Sequence, residues 1–537
     1  MNLFVKHILN FISTPFTIFL PHFLCLSFII VFFNFYSFVT RGFWLYAIYI
    51  LCYSIIISYC FIILLNIIKN KLIQNLFYII ICISNFIFSL IDTICITQFN
   101  SHLNEDIVAS ILGTNTNECK EFISEFIKFD LLILSIVCII LSFIIYHLSF
   151  IIYHRLKDKK KIIIKNILII FFFLSFLLTI RNSTIINEYP INDISLFFKY
   201  NSPPNITLTH PQLEIKNYNR PTNIIIIIGE SHSKIHSSLY GYSKDTNPRL
   251  SSIKENLYVF NNVCSPGRNT ISAFKCFMST YDSHYKDSTN WHSCTTILEI
   301  LNIIGYKTIW LSNQSKKGLY DNEIGKYADI CTENIFIGNK FAGMNRNNCY
   351  DESLINLAKE IKTSSINKEK RAYIFHLMGS HFNFKHRYPQ HYNIFNTNDY
   401  ESSLPEQRAI LAEYDNSILY NDYVTSEIIN LFKNDESLIF YFSDHGLDVF
   451  NSAQDYCGHP RNNKISEFYG KQIPFWIYTS EIYKKNNPQK IETISNSINR
   501  PFNTTNFIYS LMDLIEINFK NNNNVNRYSL FKTNKQS

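Results

Sequence analysis

The chain has 537 residues, 47% of them hydrophobic, and a formal net charge of +7. That is too long for one ordinary domain, and the apolar residues crowd into the first third. Much of the positive excess sits in short loops between apolar runs, so it gives no reason to expect a nucleic-acid partner.

Five apolar runs come first: Pro15–Val39, Phe43–Ile68, Leu72–Ile96, Leu131–Tyr153 and Ile162–Ile180. Each approaches the ~20 residues that a helix needs to cross a bilayer. They are apolar on every side and almost uncharged, which sets them apart from the core helices of a soluble protein. The first is too long, and followed by too many others, for a cleaved signal. Lys69 and Lys71 lie between the second and third runs; Arg155, Lys157, Lys159, Lys160, Lys161 and Lys165 lie around the fourth-to-fifth junction. Positive loops stay in the cytoplasm, so five spans over residues 1–181 put everything after Arg181 outside.

The outward loop over residues 98–129 is longer than a turn. Ser110, Thr114 and Glu118 recur there at every fourth position, which would put them on one helical face; spacing alone favours a solvated face. Residues 182–221 are polar, with prolines at 190, 203, 204, 211 and 221, and read as an extended linker. From Thr222 the pattern becomes apolar runs separated by helical segments. Asn223–Ile228, Tyr306–Leu311, Ala372–Leu377, Leu438–Phe442 and Phe475–Tyr478 read as strands buried on both faces. Ser293–Ile304, Glu352–Thr363 and Tyr420–Lys433 read as helices, giving an α/β domain over residues 222–520 with a largely parallel sheet. The Asn- and Lys-rich stretch 521–537 reads as a frayed polar tail.

Six cysteines lie in the apolar runs, as small fillers. Cys119 lies in the outward loop, and six more, Cys264, Cys276, Cys294, Cys331, Cys349 and Cys457, fall in the soluble part after the linker. An even count there permits disulfides, and Cys264 with Cys276 and Cys331 with Cys349 are the pairs favoured by proximity.

Two strand ends carry the chemistry. Asn223–Ile228 stops at Gly229-Glu230, and Ser437–Phe442 stops at Ser443-Asp444-His445-Gly446. Ligands collect at the carboxyl ends of parallel strands, and Glu230, Asp444 and His445 form a mixed oxygen and nitrogen set suited to zinc. Ser231 and Thr270 compete as the nucleophile. Thr270 opens the helix-like segment Ile271–Thr280, where backbone N–H groups would meet an anionic phosphate. Threonine at that place also suits an ordinary N-cap, the reading that local sequence favours.

Gly229-Glu230-Ser231-His232, Ser238-Leu239-Tyr240-Gly241-Tyr242, Asp245-Thr246-Asn247-Pro248-Arg249-Leu250, Trp310-Leu311-Ser312-Asn313-Gln314, His376-Leu377-Met378-Gly379-Ser380-His381 and Ser443-Asp444-His445-Gly446 together resemble the lipid A and lipopolysaccharide phosphoethanolamine transferases, which include the mobile colistin-resistance enzymes. The resemblance implies an all-α bundle of five transmembrane helices in the bacterial inner membrane, and an alkaline-phosphatase/sulfatase-like domain in the periplasm. It implies transfer of phosphoethanolamine from phosphatidylethanolamine to lipopolysaccharide through a phosphoethanolamine-threonine intermediate. Glu230, Asp444, His445 and Thr270 match the zinc ligands, with Thr270 also the nucleophile and Ser231 a neighbour. Asn313 and Lys317 match contacts to the phosphoryl group. His381 and His459 match histidines that serve substrate or a second, weaker zinc beside one tight site. Thr114 and Glu118 match positions that help bind the lipid donor, while Ser110 departs from the usual Asn. Leu447-Asp448 after the Asp-His-Gly, and Pro266 where lipid A-modifying members carry a cysteine, lean towards the branch acting on core sugars. The alternatives are a phosphoglycerol transferase resembling lipoteichoic-acid synthases, and a catalytically inactive membrane scaffold.

Overall fold

A computed structural model describes residues 16, 19–40, 44–99, 129–156, 158–181, 205–216, 220–282, 290–316, 323–337, 350–364, 369–402, 404–453, 456–460, 463–520 and 523–532. The chain divides into two compact units: residues 1–108 with 117–200, and residues 109–116 with 201–537.

The first unit contains helices α1 (Leu20–Thr40), α2 (Trp44–Ile67), α3 (Lys71–Ile94), α4 (Phe129–Arg155) and α5 (Asp158–Arg181), one on each apolar run. Asn70 starts α3 by accepting hydrogen bonds from the Leu72 and Ile73 N–H groups, which satisfies two of the open donors at a helix start. Among the described residues, Lys71–Thr97 and Asp130–Arg155 are long and apolar enough to cross a membrane, and Leu20–Phe33 and Leu51–Ile67 are shorter apolar stretches. The count of five spans is therefore not established by length and apolarity. Ile80, Ile139, Phe143 and Ile170 lie exposed on these helices, a surface suited to lipid rather than water.

The second unit is built on seven strands: β1 (Asn223–Gly229), β2 (Leu257–Val259), β3 (Lys307–Ser312), β4 (Glu333–Phe336), β5 (Arg371–His376), β6 (Ser437–Ser443) and β7 (Phe475–Thr479). They lie in the order β2-β7-β6-β1-β5-β3-β4. Only β7 runs against its neighbours. The five β1 isoleucines follow from this placement. Ile224, Ile226 and Ile228 face one core with Phe274, Phe277 and Phe507, while Ile225 and Ile227 face another with Val424, Ile428 and Phe432. Alternation on a strand buried on both sides needs an apolar residue at every position. Helices α6 (Thr270–Phe277) and α10 (Phe507–Leu514) supply the first core; α7 (Glu352–Thr363) and α8 (Pro405–Phe432) supply the second. Between them in sequence lies the short helix α9 (Lys464–Lys471).

Four features differ from the sequence reading. Leu213–Ile215, within the supposed linker, pairs antiparallel with Ile517–Phe519. The polar tail is helical at Asn524–Tyr528 and buries Leu530 and Phe531 in the first core, because two large apolar side chains outweigh their polar surroundings. Helix α8 starts at Pro405, fifteen residues before the expected Tyr420. Cys264 is a free thiol set against the Phe502 carbonyl and the Asn503 amide, so it does not bridge to Cys276, which faces the core from α6. Cys349 lies outside the described residues.

Phe440 packs edge-on against Phe507, with ring centroids 5.3 Å apart. Phe440→Ala should lower unfolding stability by about 3–5 kcal/mol through the cavity it leaves. Ile482→Ala, at an exposed site, should change it by less than about 0.5 kcal/mol. Denaturant titration of the detergent-solubilised chain measures both.

Candidate active site

Strands β1 and β6 are parallel neighbours, with Gly229 opposite Ser443. Glu230 and Asp444 therefore leave the sheet side by side, and His445 follows. All three are buried, and one ligand atom from each lies within 4.8 Å of the others. His445 Nε2 is 3.3 Å from Glu230 Oε1 and 3.5 Å from Asp444 Oδ2. Its Nδ1 lies 2.7 Å from the Gly446 carbonyl and must donate to it, which points Nε2 at the carboxylates.

Thr270 is the first residue of α6, but it is not the cap. Asn269 takes that role, accepting from the Ser272 N–H at 3.0 Å. The Thr270 hydroxyl is thereby free to donate to Glu230 Oε2 at 3.1 Å, and it lies 3.5 Å from His445 Nε2. This overturns the N-cap reading that local sequence favours.

The electrostatics call for a cation. Burial, then the Glu230 charge, push Asp444 up to about 7. Burial lowers His445, but the Asp444 charge and the Glu230 hydrogen bond and charge outweigh it and raise the imidazole to about 9. Burial also raises Glu230, yet its hydrogen bond to His445 and that ring's charge hold it well below the ordinary carboxylate range. A proton on His445 thus stands where a metal ion would stand. Asp444 Oδ2 is buried and accepts no hydrogen bond. Two carboxylates, an imidazole lone pair and a hydroxyl around an unsatisfied oxygen suit a four-coordinate zinc.

Backbone devices hold this set. Ser231 adopts a left-handed φ of 56°, an unfavourable conformation for a residue with a side chain. The buried Tyr414 hydroxyl, from α8, donates to the Ser231 carbonyl at 2.7 Å and accepts from the Ser233 N–H at 2.8 Å. The Ser231 N–H and hydroxyl then reach Asp444 Oδ1 and Glu230 Oε1. Gly379, at φ 50°, packs so closely that a Cβ would sit 2.8 Å from the Glu230 nitrogen. Asp351 holds that turn, accepting from the Met378 and Gly379 N–H groups.

The remaining sequence candidates divide. The His459 ring lies tilted with its centroid 4.7 Å from that of His445, and its Nδ1 is 3.1 Å from the Arg268 carbonyl; burial and the His445 charge depress it to about 3. His381 lies close enough to act electrostatically on Glu230, and its Nδ1 is buried without a hydrogen bond. Asn313 is buried nearby, with its amide donating to Asp351. Lys317, Ser110, Thr114 and Glu118 lie outside the described residues. Gln314 was missed: its amide donates to Glu230 Oε2 at 3.1 Å and to the Leu377 carbonyl at 3.0 Å. Its place directly after Asn313 at a strand end was the available signal. Tyr414 and Asp351 carried no such signal, being single polar residues in helical surroundings.

Metal uptake must displace the His445 proton and, below about pH 7, the Asp444 proton. Zinc affinity should therefore fall as pH drops from 9 to 6, by up to about tenfold per unit for each displaced proton. Tyr414→Phe should weaken zinc binding by about tenfold at fixed pH by loosening the Ser231 turn. Chelator competition measures both effects.

The sulfatase family matches residues 222–517. Phosphoethanolamine transferase EptC of Escherichia coli (strain K12) is 27% identical over 310 residues, covering 56% of this chain and 52% of that protein. Phosphoethanolamine transferase EptA of Helicobacter pylori is 30% identical over 315 residues, covering 57% and 56%. The chain thus spans about half the length of the curated relatives it matches. The C-terminal periplasmic domain of E. coli EptC, crystallised in complex with Zn, superposes with a TM-score of 0.55 at 24% identity, covering 63% of this chain and 92% of that one. The integral membrane lipooligosaccharide phosphoethanolamine transferase A (EptA) of Neisseria meningitidis superposes with a TM-score of 0.66 at 17% identity, covering 95% and 96%. At these identities the superpositions speak for the fold. The family match covers more than half of the chain, so this protein belongs to the sulfatase family, and its similarity within it is to the phosphoethanolamine transferases.

Proposed function

We propose that the chain is a zinc-dependent phosphoethanolamine transferase of the bacterial inner membrane, anchored by five transmembrane helices with its α/β domain in the periplasm. The donor is phosphatidylethanolamine, and the acceptor is lipopolysaccharide, at a core sugar or lipid A. The observation that carries this reading is the uncapped Thr270 hydroxyl, 3.1 Å from Glu230 and 3.5 Å from His445 at a helix start. Similarity to the phosphoethanolamine transferases supplies the headgroup.

Glu230, Thr270, Asp444 and His445 would hold one tight zinc, which when bound lowers the hydroxyl pKa and neutralises charge on phosphoryl oxygens. His381 and His459 are assigned to substrate or to a second, weaker ion. In the first displacement, Thr270 Oγ1 bonds to phosphorus as the P–O bond to diacylglycerol breaks. The hydroxyl loses its proton, and diacylglycerol gains one. In the second, an acceptor oxygen takes the phosphorus from Thr270, whose hydroxyl is restored. His459 donates Nδ1–H to Arg268, so its Nε2 lone pair is available to accept a hydrogen bond from the acceptor's hydroxyl, whose proton ends on the restored Thr270. The N–H groups of Thr270 and Ile271, at the start of α6, are assigned to the incoming negative charge. Lys317 and Asn313 are assigned to the phosphoryl oxygens, and Thr114 and Glu118 to the lipid donor.

Thr270→Ala should abolish both the covalent adduct and transfer. Mass spectrometry of lipopolysaccharide from cells carrying either form should show a phosphoethanolamine-sized increment only with the intact threonine, and fragmentation locates it. Normal transfer by Thr270→Ala would end the scheme, and an adduct of another mass would make the chain a transferase of a different headgroup.

A further inference from the structure

Helix α9 (Lys464–Lys471) joins the two loops of the site and leaves its other face uncovered. At its end, the Gly470 carbonyl accepts from the Gly446 N–H at 2.8 Å, one residue after His445, and the Lys471 carbonyl accepts from the Ser265 N–H at 2.8 Å, at the start of the loop leading to Thr270. Its inward residues Ser466 and Gly470 are buried. Ile465 and Phe468 point the other way, 60% and 58% exposed. Three positions apart on a helix, they are neighbours and form one apolar ridge.

Cations flank the ridge. Lys464 is exposed beside it. Lys471 and Arg268 share one carboxylate, Glu467, at 2.7 and 3.4 Å. Among the described residues of this surface, three positive side chains thus oppose a single negative one. Two large apolar side chains between lysines and an arginine form the pattern by which a helix settles into the headgroup region of a bilayer. The apolar residues reach the acyl boundary while the cations stay with the phosphates.

We infer that the Ile465–Phe468 ridge of α9 docks on a lipid bilayer surface, bringing the mouth of the site to the headgroups. Two arguments select lipid over a protein partner. The charge excess complements lipid phosphates, and a chain carrying membrane-length apolar helices keeps a bilayer at high effective concentration. The inference rests on the membrane anchoring proposed above, not on the reaction.

The test reconstitutes the full chain with Phe468→Trp in phosphatidylethanolamine/phosphatidylglycerol vesicles, with or without bromine on the upper acyl carbons, and subtracts the wild-type emission. The added emission should lose about half or more of its intensity in brominated vesicles, given insertion ~5–10 Å deep. Ile465→Trp should behave alike. Ile482→Trp is the control: Ile482 is exposed just past the end of β7 where Thr479 pairs with Leu438, away from the Phe475–Phe442 end nearer the site. Its emission should be unaffected. Equal emission in both vesicle types at 468 and 465 overturns the inference, as does equal quenching at 482. A blue-shifted but unquenched signal overturns it in favour of protein covering the ridge. Because no transfer is measured, failure here leaves the reaction scheme standing, and failure of the Thr270 test leaves the ridge standing.

Discussion

Two carboxylates cannot both stay ionised at the ends of adjacent buried strands without a positive charge between them. Glu230 and Asp444 are held in that position by the register of β1 on β6, and the sheet offers no freedom to separate them. Everything around them follows from supplying and aiming that charge. His445 is oriented by the Gly446 carbonyl. Ser231 is bent into a left-handed turn to give its N–H to one carboxylate and its hydroxyl to the other. Asn269 takes over the capping of α6, and this lets Thr270 join the same cluster.

The order of rigidity matches this demand. The five isoleucines of β1 and the aromatic residues of β6 are buried on both faces, so the strand ends are fixed by core packing rather than by the loops they support. Each fully buried isoleucine contributes about 1.5–3 kcal/mol, against about 1–3 kcal/mol of backbone strain at a residue such as Ser231. The strained turn is therefore sustainable, and Tyr414 makes it specific by bonding both sides of it with a single hydroxyl.

Much of this was legible in the sequence, for reasons that vary with position. Long apolar runs, period-free strands and metal-liking residues at strand ends are local signals. They located five of the seven sheet strands and the residues Glu230, Asp444 and His445 that the structure clusters at their ends. The strands β2 and β4 are too short, at three and four residues, for a run to stand out. Tyr414 and Asp351 act through partners far away in the chain, such as the 183-residue separation between Tyr414 and Ser231, so nothing local marks them. Thr270 could not be separated from a cap, because the residue that caps in its place precedes it by one. Leu530 and Phe531 were hidden by the asparagines around them.

The clasp between Leu213–Ile215 and Ile517–Phe519 bears on how the chain is made. The opening strand of the second unit cannot pair until its partner, about 300 residues later, has been synthesised, an interval of roughly 15–60 s at ordinary elongation rates. Glu230 likewise waits for Asp444. The unit therefore emerges with its central hydrophobic strand unpaired until residues 371–376 and 437–443 follow, and its two-stranded clasp closes only when Ile517–Phe519 arrives. Any factor that shields an unfinished sheet has that interval in which to act.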